Sequence, residues 1–138
     1  KVRKYFSIDE LVCEHTLERF GDGAWKFIST PALETLLVLR TKILKVPMTI
    51  NTQSAHQRGL RCNICQLVKE KKTQYLSGHV LGCAFDVLCK DMTAAQMRSL
   101  IVQNKDLLPY SIRMEAGVSW LHFDLLTDSD DKITFFEA

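Results

Sequence analysis

The clearest hydrophobic pattern begins at Thr30. Leu33, Leu36, Leu37, Leu39, Ile43 and Leu44 recur at helical spacing, Pro31 suits a first helical position, and Pro47 ends the run. Thr30 is the expected cap, and Glu34 early with Arg40, Lys42 and Lys45 late match the helix dipole. A second helix is expected in "MTAAQMRSLIVQNKDLL", with Ala94, Ala95, Met97, Leu100 and Ile101 as its apolar face and Thr93 as its cap. "FSIDELV" opens like a helix start, with Ser7 as cap and Glu10 three residues on. "HTLERFGDGAWKF" reads as a helix end and a loop.

Elsewhere the period drops to two. "MTIN", "CAFDVLC", "YSIRMEA", "SWLHFDLL" and "KITFF" read as short strands. "AGV" makes a hairpin-like turn at Gly117, and "DSDD" makes the last turn. Residues 52–76 are polar and aperiodic, which is long for a connection and characteristic of binding loops. The expected fold is one α+β domain over 1–138, with helices on one face of a small, mainly antiparallel sheet.

Alternation raises a chemical question. In residues 83–89 the odd positions Cys83, Phe85, Val87 and Cys89 form a core face, so Asp86 points the other way. In residues 119–125 Leu121, Phe123 and Leu125 face the core, and Trp120, His122 and Asp124 oppose them. Two strands thus present metal-competent side chains away from the core. His79 stands seven residues before Asp86 in a segment that Gly78 and Gly82 can bend. Two imidazoles and one carboxylate are the ligand set of a catalytic zinc site, which keeps a fourth position for water.

Composition narrows the class. Of 138 residues, 46% are hydrophobic and 25% charged, as in an ordinary globular protein. A net charge of +2 gives no nucleic-acid footprint. No apolar run reaches the ~20 residues of a membrane span, and since the chain opens on Lys1, the lack of a visible signal peptide decides nothing. Five cysteines cannot all pair, so reduced, mostly buried thiols are expected. Cys62 and Cys65 form a C-x-x-C. A four-cysteine zinc site with Cys83 and Cys89 is disfavoured, because those two are spaced too widely and alternation already explains them.

The order S-x-H-x-x-G-x-A-x-D (Ser77, His79, Gly82, Ala84, Asp86), followed by W-x-H-x-D (Trp120, His122, Asp124), resembles the zinc peptidases of bacterial cell walls. These are the D-alanyl-D-alanine carboxypeptidases, D-Ala-D-Ala dipeptidases and phage L-alanyl-D-glutamate endolysins, whose zinc fold the hedgehog signalling domain shares. "PALETLLVLRTKILKVPMTIN", "GLR" at 59–61 and "RMEAGVSWLHFD" extend the resemblance over most of the chain.

The resemblance implies His79, Asp86 and His122 as Zn2+ ligands and Glu115 as catalytic acid/base. It implies Arg61, or its neighbour Arg58, facing the substrate carboxylate or developing oxyanion. Many relatives carry the catalytic carboxylate three residues before the last histidine, where this chain has Ser119; Glu115 stands seven before it, across a turn. Asp124 either orients a ligand histidine or accepts a structural hydrogen bond. Trp120 either walls a groove or packs, and Ser77 either lies near the site or caps a turn. His15 and His56 match no ligand motif and are expected on loops. The implied activity is hydrolysis of bonds involving D-amino acids in peptidoglycan stem peptides, by a monomer of phage or prophage origin acting on the cell wall without nucleic-acid or membrane partners. The alternative is a zinc-fold binding module without turnover, which the serine at 119 favours.

Overall fold

The computed structural model describes all 138 residues. Four helices and four strands build it: α1 (Glu14–Phe20), α2 (Thr30–Val38), α3 (Gln66–Lys69) and α4 (Ala94–Gln103), with β1 (Ala84–Val87), β2 (Ile112–Glu115), β3 (Leu121–Asp124) and β4 (Ile133–Phe136). The α+β class stands. The sheet has the order β1-β3-β2-β4 and is mixed.

β3 pairs antiparallel with both β1 and β2, as a hairpin through Gly117 requires, and Gly117 sits at φ 77°. β4 runs parallel to β2, so the sheet is antiparallel in two of its three pairings, as expected of a mainly antiparallel sheet, and mixed at its β4 edge. Both edges of β3 are already taken, so no β3–β4 hairpin can form. Residues 125–132 therefore carry the chain to the free edge of β2.

The apolar sheet face comprises Phe85, Val87, Ile112, Met114, Leu121 and Phe123, all buried in one cluster with Leu36 and Leu39 and with Met97 and Ile101 of α4. α4 begins as expected: Gln96 N–H donates to the Thr93 hydroxyl at 3.1 Å and the Gln96 side chain returns the bond. α2 starts one residue earlier than read, because Ser29 rather than Thr30 caps it, accepting from Ala32 N–H at 3.2 Å. Beyond Val38 the helix widens into a π turn over Leu39–Ile43, in which Leu44 N–H reaches back to the Leu39 carbonyl at 2.8 Å.

Three local expectations change. Glu10 does reach back to Ser7 N–H at 2.8 Å, but it caps only the 3-10 turn Ile8–Glu10, and the α-helix waits until Glu14. "MTIN" contributes a two-bond bridge between Thr49 and Leu88 rather than a strand. Residues 52–76 contain the single turn α3, and they are tied down at Leu60, which pairs in parallel with Val12.

Candidate functional site

The sheet face opposite the core carries the polar constellation. Asp86 of β1 lies directly across from His122 of β3. Arg113 of β2 lies across from Asp124 and Met114 across from Phe123, and alternation puts Glu115 on the same face as Arg113. Glu115 is in turn level with Phe136 of β4. Asp86, His122 and Glu115 therefore share one face of three adjacent strands.

His79 reaches this face from the loop before β1, as the bend at Gly78 and Gly82 suggested. Its Nδ1–H donates to the Gly59 carbonyl at 2.8 Å, which fixes the tautomer and leaves Nε2 facing Asp86 Oδ2 at 3.2 Å. His122 Nδ1 lies 2.8 Å from Asp86 Oδ1, and its Nε2 lies 2.8 Å from Asp124 Oδ2. One ligand-capable atom from each of His79, Asp86 and His122 falls within 4.8 Å of the others. A tetrahedral ion with bonds of ~2.0–2.2 Å sets its ligand atoms about 3.3–3.6 Å apart. The His79–Asp86 edge is close to that, and the His122–Asp86 edge needs a small opening. The donor set, with each imidazole held at its other nitrogen by an oxygen, fits zinc.

The same groups hold one another by charge. Burial would raise the Asp86 pKa, but hydrogen bonds from His122 and His79 outweigh it and hold the carboxyl well below the usual carboxylate range. Burial would lower that of His122, but the hydrogen bonds to Asp124 and Asp86 prevail and lift it to about 9. Asp124 is only 1% exposed. It accepts a two-pronged fork from Arg113, with both bonds at 2.9 Å, besides the His122 bond and Leu126 N–H at 3.0 Å. Burial opposes ionisation there, yet these bonds bring the Asp124 pKa to about 2.

Arg61 reaches the same carboxylate: its Nη2 is 3.5 Å from Asp86 Oδ2, while its Nε–H donates to the Gln57 carbonyl at 2.6 Å. Arg58 instead donates to the Ile50 carbonyl and lines an adjoining recess with Asp86, Ser119 and Trp120. Ser77 accepts from Val80 N–H at 3.3 Å and so closes the turn. A cavity of about 240 Å³ is lined by Arg61, His79, Asp86, Glu115, Trp120 and His122, among others. Trp120 stands 38% exposed at its edge.

A second cluster does use Cys62 and Cys65, but with Cys13 and His15 in place of Cys83 and Cys89. Cys13, His15, Cys62 and Cys65 bring one donor atom each within 4.8 Å of the rest. His15, expected on a loop, instead stands in the first turn of α1 as a metal-competent group; His56 does lie in a loop, bonding the Gln53 carbonyl. Cys83 is buried in the core and takes no part, and neither does Cys89. All five cysteines are free thiols. Burial pushes Cys65 up to about 12, whereas at Cys13 hydrogen bonds from Thr16 overcome burial and bring the thiol down to about 7. The missed signal was a second short spacing, Cys13-x-His15, which pairs with C-x-x-C across nearly fifty residues. Arg113 was also missed, although alternation puts it on the face of Glu115.

No protein family, functionally characterised protein or solved structure matches the chain.

Proposed function

We propose that the chain is a zinc-dependent peptidase that hydrolyses peptide bonds involving D-amino acids in bacterial peptidoglycan stem peptides, in a phage or prophage setting. The observation that carries this reading is the one cavity that His79, Asp86, His122 and Glu115 line together, with His79 and Arg61 closing over Asp86. The substrate class comes from the resemblance of the two histidine motifs to cell-wall peptidases.

His79 Nε2, the Asp86 carboxylate and His122 Nδ1 would hold the ion. Bound zinc supplies Lewis acidity toward the scissile carbonyl and acidifies water. Glu115, which lines the same cavity as His122, takes a proton from the attacking water and passes it to the leaving amine. Its place on β2, brought back by the Gly117 turn, compensates for Ser119, which lines only the neighbouring recess. Arg61 lines the cavity beside Asp86, where it can pair with the substrate carboxylate or the developing oxyanion. Asp124, locked by the Arg113 fork, fixes the ring of His122.

The test is release of amino groups from purified peptidoglycan. Release should stop with a chelator and return with added zinc. Zinc-loaded protein that releases none would overturn the reading and leave the non-catalytic binding module in its place.

A further inference from the structure

The Cys/His cluster has its own geometry, independent of the peptidase reading. Cys62 Sγ and Cys65 Sγ lie 3.8 Å apart, and His15 Nδ1 lies 3.6 and 3.7 Å from them. A tetrahedral zinc with Zn–S ~2.3 Å and Zn–N ~2.0–2.1 Å places two thiolates about 3.8 Å apart and a thiolate and an imidazole about 3.6 Å apart. The observed edges already have the size of that shell. They are far longer than a disulfide bond of ~2.05 Å.

Backbone pairing builds the cluster. Leu60 N–H donates to the Leu11 carbonyl and Cys13 N–H to the Leu60 carbonyl, both at 2.9 Å, so the segment before α1 lies alongside the loop that carries Cys62. Gly59 permits this approach, since a Cβ there would sit 2.1 Å from the Leu11 oxygen. Cys62 N–H points at Cys65 Sγ, 3.4 Å away, the kind of donor that stabilises a thiolate.

We propose that Cys13, His15, Cys62 and Cys65 bind a second Zn2+ in a closed Cys3His site that staples the start of α1 to the arginine loop. Four protein donors complete the tetrahedron and leave no position for substrate, so the role is structural. Three thiolates select zinc over the hard cations magnesium and calcium.

What the staple holds follows from the next residues. Cys62 adjoins Arg61, whose side chain meets Asp86 and whose N–H donates to the His79 carbonyl at 3.1 Å. Gly59, three residues before Cys62, accepts from His79 Nδ1. Of residues 52–76 only Gly59, Leu60 and Cys65 are buried, and Gly59 has no side chain, so packing alone gives this loop little stability. The metal offsets the cost of ordering it.

The experiment uses the full chain carrying His79→Ala and His122→Ala, which empties the other centre. This variant should still purify with about one zinc per chain. Exchange for Co2+ should then give thiolate-to-cobalt charge-transfer absorption, which a His/Asp centre without sulfur cannot produce. Cys62→Ser in the same background should lose both. Should Cys62→Ser fail to fold, His15→Cys serves instead and should keep the metal with a stronger thiolate band. Absence of any thiolate band in the His79/His122 variant, or an unchanged band in Cys62→Ser, would overturn the site. A wild-type protein with no hydrolytic activity but an intact thiolate band would sink the peptidase reading and leave this one standing.

Discussion

At the residue scale the site depends on who holds whom. Asp86 is gripped by two imidazoles and a guanidinium, so it stays ionised despite burial. His122 has a carboxylate on each ring nitrogen, and only one of these, Asp124, is anchored by an arginine fork. Metal-ligand histidines typically lose 10–100-fold in metal affinity when such a supporting carboxylate is changed. Asp124→Asn should therefore weaken zinc binding by about that factor, read by competition against a chromophoric chelator; unchanged affinity would reduce Asp124 to a structural partner of Arg113. Glu115 touches no proposed ligand by hydrogen bond, so Glu115→Gln should keep the zinc and lose about 10²–10⁴-fold in kcat. Near-normal hydrolysis by that variant would remove Glu115 from the chemistry. Strand alternation made Asp86, His122 and Asp124 legible in the sequence, because period two is a local property. The Gly59 carbonyl and the pairing of Cys13 and His15 with Cys62 and Cys65 were not, because those contacts depend on a bridge between distant loops.

At the element scale, four-residue strands do much with little. β3 is buried at every position because β1 and β2 flank it and α4 packs on its core side, while His122 and Asp124 bury themselves in polar contacts. Hairpin topology was readable from Gly117. The parallel β2–β4 pairing was not, since nothing in "DSDD" tells which edge a strand will reach. α2 was readable from its leucines, but its cap slipped by one, as Ser29 and Thr30 offer equivalent hydroxyls. The Leu60 junction is the least forgiving connection. Gly59→Ala drives a methyl into the Leu11 backbone and should cost more than about 2 kcal/mol in urea denaturation. Gly23→Ala, where a Cβ meets nothing within 4 Å, should stay within about 0.5 kcal/mol of wild type. Equal effects of the two would mean that the close approach at Gly59 is not a constraint.

At the scale of the whole molecule, one core of 25 buried residues carries the sheet and the main helices, while the loop 52–76 lies on its rim. Each of the two proposed ions touches this loop or its partners: His79 through the Gly59 carbonyl, Cys62 and Cys65 directly. Ligands that bind only the folded state stabilise it by mass action. Stripping both metals should then lower Tm, with hydrogen exchange rising first in residues 57–65. A metal-free protein with unchanged protection there would mean the loop is held by packing alone. The most direct check on the central claim, that His79, Asp86 and His122 with Glu115 form a hydrolytic zinc centre, is mass spectrometry of muropeptides after digestion. Zinc-loaded protein should split one stem-peptide bond next to a D-residue, adding one water across it, and Glu115→Gln should leave that bond whole. A muropeptide profile identical to that of untreated peptidoglycan, with zinc bound at His79, Asp86 and His122, would contradict it.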